Sequence, residues 1–316
     1  MYFAGMRRST VVGLKLEMGE AYMEQIYGKW PERSDSFTAA NWKNAARITA
    51  GVDVGTTSTQ AAIFCDDMLY SYSSIRTGAS FGAAADAALS KALQAGGLSM
   101  EAVQGHVVAT GWGARHVSMA CKTMDEIHCH AMGARFMFGE EVHTVVDLGG
   151  QTIKAIRLYD WNRVRDFMIN DKCATGMGRG LETLCELLQV PITEIGALSL
   201  EVKADPEPVS TTCAAFAATE TLGLFGRPEF KSAPLTPNEV YASHLFAIAW
   251  RILGVIGKLQ SLEVGDITAE PALAFTGGLA KNIGITSRIA RELKLTALTS
   301  PYDPQLAGAI GAALLA

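Results

Sequence analysis

The sequence has no uninterrupted apolar run of about 18 or more residues, the length that a membrane-spanning helix needs. The best candidate, residues 244–260, contains Arg251, so we predict a buried helix there. Near the N-terminus, Lys15 and Glu17 interrupt the apolar stretch and no small-residue cleavage site follows, so we expect no secretory signal. These absences lead us to expect a cytoplasmic protein with no membrane partner.

An excess of positive charge is also absent. The 27 Lys and Arg residues are outnumbered by 32 Asp and Glu residues, which gives a net charge of −5. Nucleic-acid-binding surfaces are strongly basic, so we expect no nucleic-acid partner. The six cysteines include no CxxC pair. In a chain without a secretory signal this usage argues against a disulfide scaffold and against a metal site formed by local spacing alone.

Two common nucleotide-binding signatures are missing as well, namely the P-loop pattern GxxxxGK[ST] and the dinucleotide pattern GxGxxG. The chain nevertheless has 31 glycines, many in short clusters between apolar runs. Such clusters are typical of tight backbone turns around ligands.

One pattern occurs twice: an apolar run, an aspartate, a glycine turn and a second apolar run. The two aspartates, Asp53 and Asp147, are 94 residues apart. Similar strand–turn–strand units at this spacing predict a duplicated fold. We expect an extension at 1–46 without a catalytic role, a first domain at 47–143 and a second at 144–302, with a C-terminal helix at 303–316 that packs back on the first domain.

The repeated turns have a shared chemistry. Glycine turns let backbone N–H groups approach phosphate oxygens, and the neighbouring hydroxyls of Thr56, Thr57 and Ser58 are further donors. An aspartate at the end of a strand can hold Mg²⁺ through water. A single such turn is common in ordinary hairpins. Two copies, together with a later strand–Gly–Gly–helix segment at Gly277 that offers bare backbone to a nucleoside, point to a nucleotide site.

The segments "GVDVGTTST", "VVDLGGQT" and "FTGGLAKN" resemble the two phosphate loops and the adenosine loop of the actin, Hsp70 and sugar-kinase superfamily. The resemblance implies an α/β fold of two duplicated ribonuclease H-like domains that close over ATP and Mg²⁺. No carboxylate stands out as a base toward a sugar hydroxyl, which favours an ATPase over a metabolite kinase, the remaining alternative. The expected catalytic residues are Asp53, Asp147 and Gln151, and the expected ATP-binding residues are Gly55, Thr56, Thr57, Ser58, Gly149, Gly150, Gly277, Gly278 and Lys281.

The cysteines differ in their surroundings. Cys185 shares an apolar helical face with leucines, which predicts a core position. Cys129 lies between two histidines, but consecutive helical side chains diverge by ~100°, which disfavours a metal site. Cys173 and Cys213 each lie where a helix is predicted to begin, a position that lowers a thiol pKa. Buried structural cysteines, nucleophiles, redox thiols and metal ligands all remain open from this pattern. A [4Fe–4S] cluster normally takes four ligands, and two chains are able to contribute two each.

The stretches "NDKCATGMGRGLE" and "TTCAAFAATET" resemble the BadF/BadG/BcrA/BcrD ATPase family, and the resemblance covers about residues 48–316. It implies that Cys173 and Cys213 ligate one [4Fe–4S] cluster shared with a homologous ATPase subunit, and that ATP hydrolysis drives electron delivery. Dehydratase activators of this family usually have an aspartate where Thr152 stands. They also tend to have two acidic residues after the second cysteine, of which this chain keeps Glu220 and has Ala218 at the other place.

These departures favour an ATPase subunit of benzoyl-CoA reductase. That assignment implies reduced ferredoxin as the electron donor and two further, ring-reducing subunits as partners. The alternative is a homodimeric activator of a 2-hydroxyacyl-CoA dehydratase.

Overall fold

Two β-sheets organise the chain in the computed structural model, which describes residues 27–37, 42–159, 163–170, 177–226, 235–261 and 273–316. Cys173 and most of the predicted extension lie outside the described residues. We call the larger sheet with its helices the first lobe and the smaller sheet with its helices the second lobe.

The first sheet has six strands in the order β1-β4-β3-β2-β5-β6. Strands β2, β3 and β4 form an antiparallel meander, and β5 and β6 continue the sheet parallel to β2. Almost every residue of β2 and β3 is buried, which explains the apolar run 61–65 of β3 and the largely apolar sequence of β2. The strands are β1 (Arg33–Ser36), β2 (Ile48–Val54), β3 (Ser58–Cys65), β4 (Met68–Arg76), β5 (Val107–Thr110) and β6 (Lys122–Thr123).

The second sheet repeats the pairing scheme of the first. Its order is β10-β7-β8-β9, with β7, β8 and β9 antiparallel and β10 parallel to β7. This matches β5-β2-β3-β4 strand for strand, as the repeated sequence pattern predicts. The domain boundaries placed near residues 143 and 302 stay a prediction. The strands are β7 (Thr144–Leu148), β8 (Ile153–Leu158), β9 (Val164–Ile169) and β10 (Leu273–Thr276).

Eight α-helices occur in the described part of the chain. Several begin at a side chain that caps the first turn: Ser80 accepts from Ala83 N, Asp125 from His128 N, and Asn282 from Ile285 N. The helices are α1 (Phe81–Ala95), α2 (Glu126–Phe138), α3 (Met177–Leu188), α4 (Ile195–Leu198), α5 (Ala214–Gly226), α6 (Pro237–Ser261), α7 (Ile283–Leu293) and α8 (Ala307–Leu314).

Helix α6 contains the apolar segment for which a buried helix was predicted. Residues 237–259 are long and apolar enough to cross a membrane by length and composition, but 67% of the most apolar window is buried inside the protein. Leu245, Ile252 and Leu259 are fully buried in the core of the second lobe. The apolar character of α6 is therefore explained by the sheet and the helices against which it packs.

Helix α8 consists of small residues because it passes very close to its neighbours. A Cβ atom at Gly51 of β2 would collide with the carbonyl oxygen of Ala309, and one at Gly311 would collide with that of Cys129 on α2. Backbone contacts of this kind leave no room for side chains. Helix α8 thus holds β2 and α2 in a fixed relation, and both elements carry residues of the site.

Candidate nucleotide site

The two lobes present equivalent aspartates at equivalent strand ends. Asp53 of β2 lies beside Thr110 of the parallel strand β5, and Asp147 of β7 lies beside Thr276 of the parallel strand β10. The hydroxyl of Thr276 donates to Asp147 Oδ1 over 3.2 Å. The duplication therefore extends from strand order to the individual carboxylates that were predicted from the sequence.

A glycine with positive φ follows each of these threonines. Gly111 has φ 85° and Gly277 has φ 84°, a conformation that residues with a Cβ rarely adopt. A Cβ at Gly111 would collide with the carboxylate of Asp53, and one at Gly277 would lie 2.7 Å from Asp147 Oδ1. In both lobes the glycine lets the backbone turn beside the carboxylate.

The predicted phosphate turns face each other. Gly55 N donates to Ser58 O over 3.0 Å, and Gly149 N donates to Thr152 O over 2.9 Å, so both turns close in the same way. Gly150 touches Thr57 across the gap so closely that a Cβ there would collide with the Thr57 hydroxyl. The two turns are in direct contact at this point.

A cleft of about 270 Å³ lies between the lobes. Its wall includes every predicted catalytic and ATP-binding residue except Lys281. Three residues of the segment 27–37 also line the cleft, namely Trp30, Pro31 and Glu32. The predicted residues that line the cleft are Asp53, Gly55, Thr56, Thr57, Ser58, Asp147, Gly149, Gly150, Gln151, Gly277 and Gly278.

His130 of α2 lies between the two aspartates. Its Nε2 is 3.8 Å from Asp53 Oδ2, and its Nδ1 is 3.5 Å from Asp147 Oδ1. Lys154 of β8 is 2.8 Å from Asp147 Oδ2 and 3.2 Å from Glu126 Oε2. Asp147 therefore has a cation in direct contact, whereas Asp53 has only the more distant imidazole.

This difference separates the two carboxyl groups electrostatically. Burial raises the pKa of Asp53 from 3.8 to about 6, and His130 opposes the rise only in part. Burial also acts on Asp147, but His130 and Lys154 outweigh it and lower the pKa. Asp147 and Glu126 in turn raise the pKa of Lys154, although burial alone would lower it. The folded protein therefore favours the charged form of Asp147 and disfavours the charged form of Asp53.

Sequence reasoning missed His130 and Lys154. Lys154 had a signal, since it stands inside the apolar run of a strand whose residues are all buried. His130 was noted only as one of the two histidines around Cys129, where a metal site was disfavoured. Its neighbours point elsewhere: His128 bonds Asp125 at the surface, and Cys129 packs beneath α8. The described residues contain no group of three or more His, Cys, Asp or Glu side chains arranged to hold a metal ion.

Lys281 is held outside the cleft lining. Its ammonium is 2.6 Å from Asp303 Oδ2 and 2.5 Å from Gln305 Oε1. Gln305 reaches the first phosphate turn, where its amide nitrogen lies 3.2 Å from Ser58 Oγ. Lys281 thus binds the loop before α8, and this contact links the predicted adenosine loop to the first lobe.

Cys213 immediately precedes α5 and is half-buried. Its backbone N–H donates a hydrogen bond to Ser210 Oγ over 3.4 Å, and Ser210 N donates to Glu220 Oε2 over 2.7 Å. Arg251 of α6 donates to the carbonyl oxygen of Thr211 over 2.9 Å. Glu220 therefore holds the loop of Cys213 and does not line the cleft.

The core position predicted for Cys185 is confirmed. It is fully buried in the second lobe, and burial raises its pKa to about 12. Burial likewise raises the pKa of Cys129 to about 12. Neither thiol is suited to act as a thiolate at neutral pH.

Comparison with known proteins identifies relatives along most of the chain. The activator of lactoyl-CoA dehydratase from Anaerotignum propionicum is 35% identical over 271 residues, which cover 85% of this chain and 96% of that protein. A subunit of the benzoyl-CoA reductase from Thauera aromatica is 29% identical over 280 residues, which cover 84% of this chain and 92% of that protein.

Solved structures of related proteins also match most of the chain. Component A of the (R)-2-hydroxyglutaryl-CoA dehydratase of Acidaminococcus fermentans matches with a TM-score of 0.75 and 30% identity, over 86% of this chain and 98% of that one. The activator of the 2-hydroxyisocaproyl-CoA dehydratase of Clostridium difficile, solved with bound ADPNP, matches with a TM-score of 0.73 and 30% identity, over 85% and 94%.

The fold is the predicted actin/Hsp70/sugar-kinase-like fold. The model of the BadF/BadG/BcrA/BcrD ATPase family matches residues 50–316. The protein is therefore an ATP-binding and ATP-hydrolysing enzyme, and the chain belongs to the BadF/BadG/BcrA/BcrD ATPase family.

Proposed function

We propose that the protein is an ATP-driven electron-transfer subunit that binds MgATP in the cleft and shares a [4Fe–4S] cluster with a partner subunit. The observation that carries this proposal is the setting of Cys213. A half-exposed thiol at the start of α5 lies beside a surface of large apolar side chains, on the same chain as the nucleotide cleft.

The cleft residues fit MgATP. The two glycine turns offer backbone N–H groups to phosphate oxygens from both lobes, and Gly277 and Gly278 leave bare backbone for the nucleoside. Asp53 is a buried carboxylate without a cation in contact, and a divalent ion would favour its charged form. Mg²⁺ would neutralise phosphate charge, with Asp53 and Asp147 as its holders through water. Gln151 lines the cleft at the second turn, where its amide is able to orient the attacking water.

The surroundings of Cys213 fit a shared cluster. Phe216 on α5 is 67% exposed, and Trp250 on α6 is 50% exposed. Exposed aromatic side chains of this size are typical of protein interfaces. Cys213 with Cys173 would supply half of the ligands and the partner the other half. The cluster would supply a one-electron carrier, and the N-terminus of α5 would offset its negative charge.

The electron acceptor has two candidates. The substitutions at Thr152 and Ala218 favour a benzoyl-CoA reductase, with reduced ferredoxin as donor, a homologous ATPase subunit and two ring-reducing subunits. The higher identity to the activator of lactoyl-CoA dehydratase, 35% against 29% for the benzoyl-CoA reductase relative, favours a homodimeric activator of a 2-hydroxyacyl-CoA dehydratase. Both assign the same role to this chain.

Anaerobic purification followed by iron and sulfide analysis tests the proposal. We expect a coloured protein with about two iron atoms per chain, half of a shared cluster. Cys173→Ser and Cys213→Ser should each abolish the iron content and leave ATP binding intact. Cys121→Ser, which changes an exposed thiol, is the matched control and should retain the cluster. A colourless, iron-free wild-type protein would contradict the proposal and favour the metabolite kinase.

Affinity purification from the native host separates the two acceptors. Stable association with three unlike subunits supports the reductase. A free homodimer that activates a separately purified dehydratase supports the activator. An iron-containing protein that does neither would refute both acceptors.

A further inference from the structure

The segment 27–37 crosses from the second lobe to the first at the mouth of the cleft. It precedes residue 50, where the family match begins. In the second lobe, Tyr27 O accepts a hydrogen bond from Ile192 N over 2.9 Å. Gly28 packs so tightly on α3 that a Cβ there would collide with the carbonyl oxygen of Glu182. The segment therefore has a fixed point on the lobe that carries the adenosine loop.

The other end of the segment is fixed on the first lobe. Glu32 accepts from Arg76 N over 3.0 Å and from Lys91 Nζ over 3.0 Å, through different carboxylate oxygens. Strand β1 then adds to the edge of the first sheet, antiparallel to β4. Pro31 stands at the crossing, where its ring limits the backbone to few conformations. We call residues 27–36 the strap.

Trp30 occupies the crossing and lines the cleft. Its indole packs against the core of the second lobe, and the ammonium of Lys281 lies 5.5 Å from the ring centroid. Lys281 belongs to the helical turn that follows Gly277, so the indole lies on the nucleoside side of the cleft. A half-buried aromatic ring at this place offers a flat apolar wall that neither phosphate turn provides.

We propose that Trp30 contacts the base of the bound nucleotide, so that the strap forms part of the nucleotide site of this protein. This inference rests on the proposed nucleotide site between the lobes. Stacking of a base on an aromatic side chain strengthens binding by about fivefold to 150-fold. Because the strap is fixed on both lobes, the indole needs no reorganisation to receive the base.

Calorimetric titration with ADP tests the contact. Trp30→Ala should weaken ADP binding by about tenfold or more, and Trp30→Phe by about threefold or less, because phenylalanine keeps a stacking face. Phe167→Ala is the matched control, since it removes an exposed aromatic ring from β9, and should bind ADP with wild-type affinity.

A second pair of variants tests the strap without changing Trp30. Gly28→Ala should displace the strap from α3 and weaken ADP binding severalfold. Gly254→Ala introduces the same methyl group at an open position on α6 and should have no effect. Nucleotide-induced change of tryptophan fluorescence gives an independent measure, which Trp30→Phe should reduce.

Wild-type ADP affinity in Trp30→Ala and Gly28→Ala would overturn the inference, as would an unchanged fluorescence response in Trp30→Phe. If Trp30→Ala does not fold, Trp30→Phe and Gly28→Ala still decide. Failure of the wild-type protein to bind ADP would instead refute the proposed nucleotide site, which keeps the two failures distinct.

Discussion

Replacement of Asp53 by Asn should make the metal-free protein more stable at neutral pH while it abolishes ATP hydrolysis. The carboxyl of Asp53 is buried, and burial raises its pKa from 3.8 to about 6. The folded state therefore holds a proton more tightly than the unfolded chain does. Above pH 6 the charged form destabilises the fold, and the penalty falls as the pH drops from 6 to 3.8 and the folded state takes up the proton.

A pKa raised from 3.8 to about 6 corresponds to about 3 kcal/mol of unfolding free energy at neutral pH. Asn has nearly the shape of a protonated Asp and carries no charge, so Asp53→Asn should recover most of this amount. Urea denaturation with EDTA present measures it. We expect Asp53→Asn to exceed the wild type by about 2–3 kcal/mol at pH 7.5 and to match it near pH 4.

Asp147 supplies the matched control because it occupies the equivalent position in the second lobe. Its pKa is lowered, chiefly by His130 and Lys154 against the effect of burial. Asp147→Asn would leave Lys154 buried with Glu126 as its remaining carboxylate, so this variant should be destabilised at pH 7.5. If both variants change stability in the same direction, or if Asp53→Asn is the less stable, the electrostatic distinction between the two sites is wrong.

Three further predictions concern the fold. Burial and Arg251 lower the pKa of His244 to about 4, so urea denaturation should show that the wild type loses about 3 kcal/mol relative to His244→Gln as the pH falls from 6.5 to 4. Arg288→Met should lower the unfolding free energy by about 1.5–3 kcal/mol, because Asp205 would lose the buried guanidinium that bonds it over 2.9 Å and keep only Arg291; wild-type stability of Arg288→Lys would show that the planar guanidinium is not required. Gly51→Ala should lower the thermal midpoint sharply by its collision with α8, whereas Gly254→Ala should not; equal midpoints would refute the close packing.

The fold was predictable from the sequence because its signals are local. Two aspartates at strand ends, each followed by a glycine turn and a second apolar run, specify the same hairpin twice. The turn around Gly277 adds the third element of the cleft. The resemblance of these three segments to the actin, Hsp70 and sugar-kinase superfamily then predicted that they meet at one cleft.

The remaining features of the site depend on contacts between distant parts of the chain. His130 reaches the aspartates only because α8 holds α2 against β2, and no spacing within α2 indicates that direction. Lys281 has the spacing of a ligand contact, but Asp303 and Gln305 bind its ammonium from a segment about twenty residues later. Trp30 belongs to an extension for which we expected no catalytic role, and its place in the cleft wall arises from two anchors on different lobes.

The contact between Gly150 and Thr57 limits how closely the two turns can approach each other. The two turns touch at this point. A phosphate chain bound by both turns would span the distance between their other backbone N–H groups, and that distance depends on the separation of the lobes. Loss of the terminal phosphate would shorten that span from one side only. In the proposed nucleotide site, lobe separation would then depend on the length of the phosphate chain. The second turn contacts α3, where Arg179 N donates to Gly150 O, and α3 packs on α5, the helix that follows the loop of Cys213.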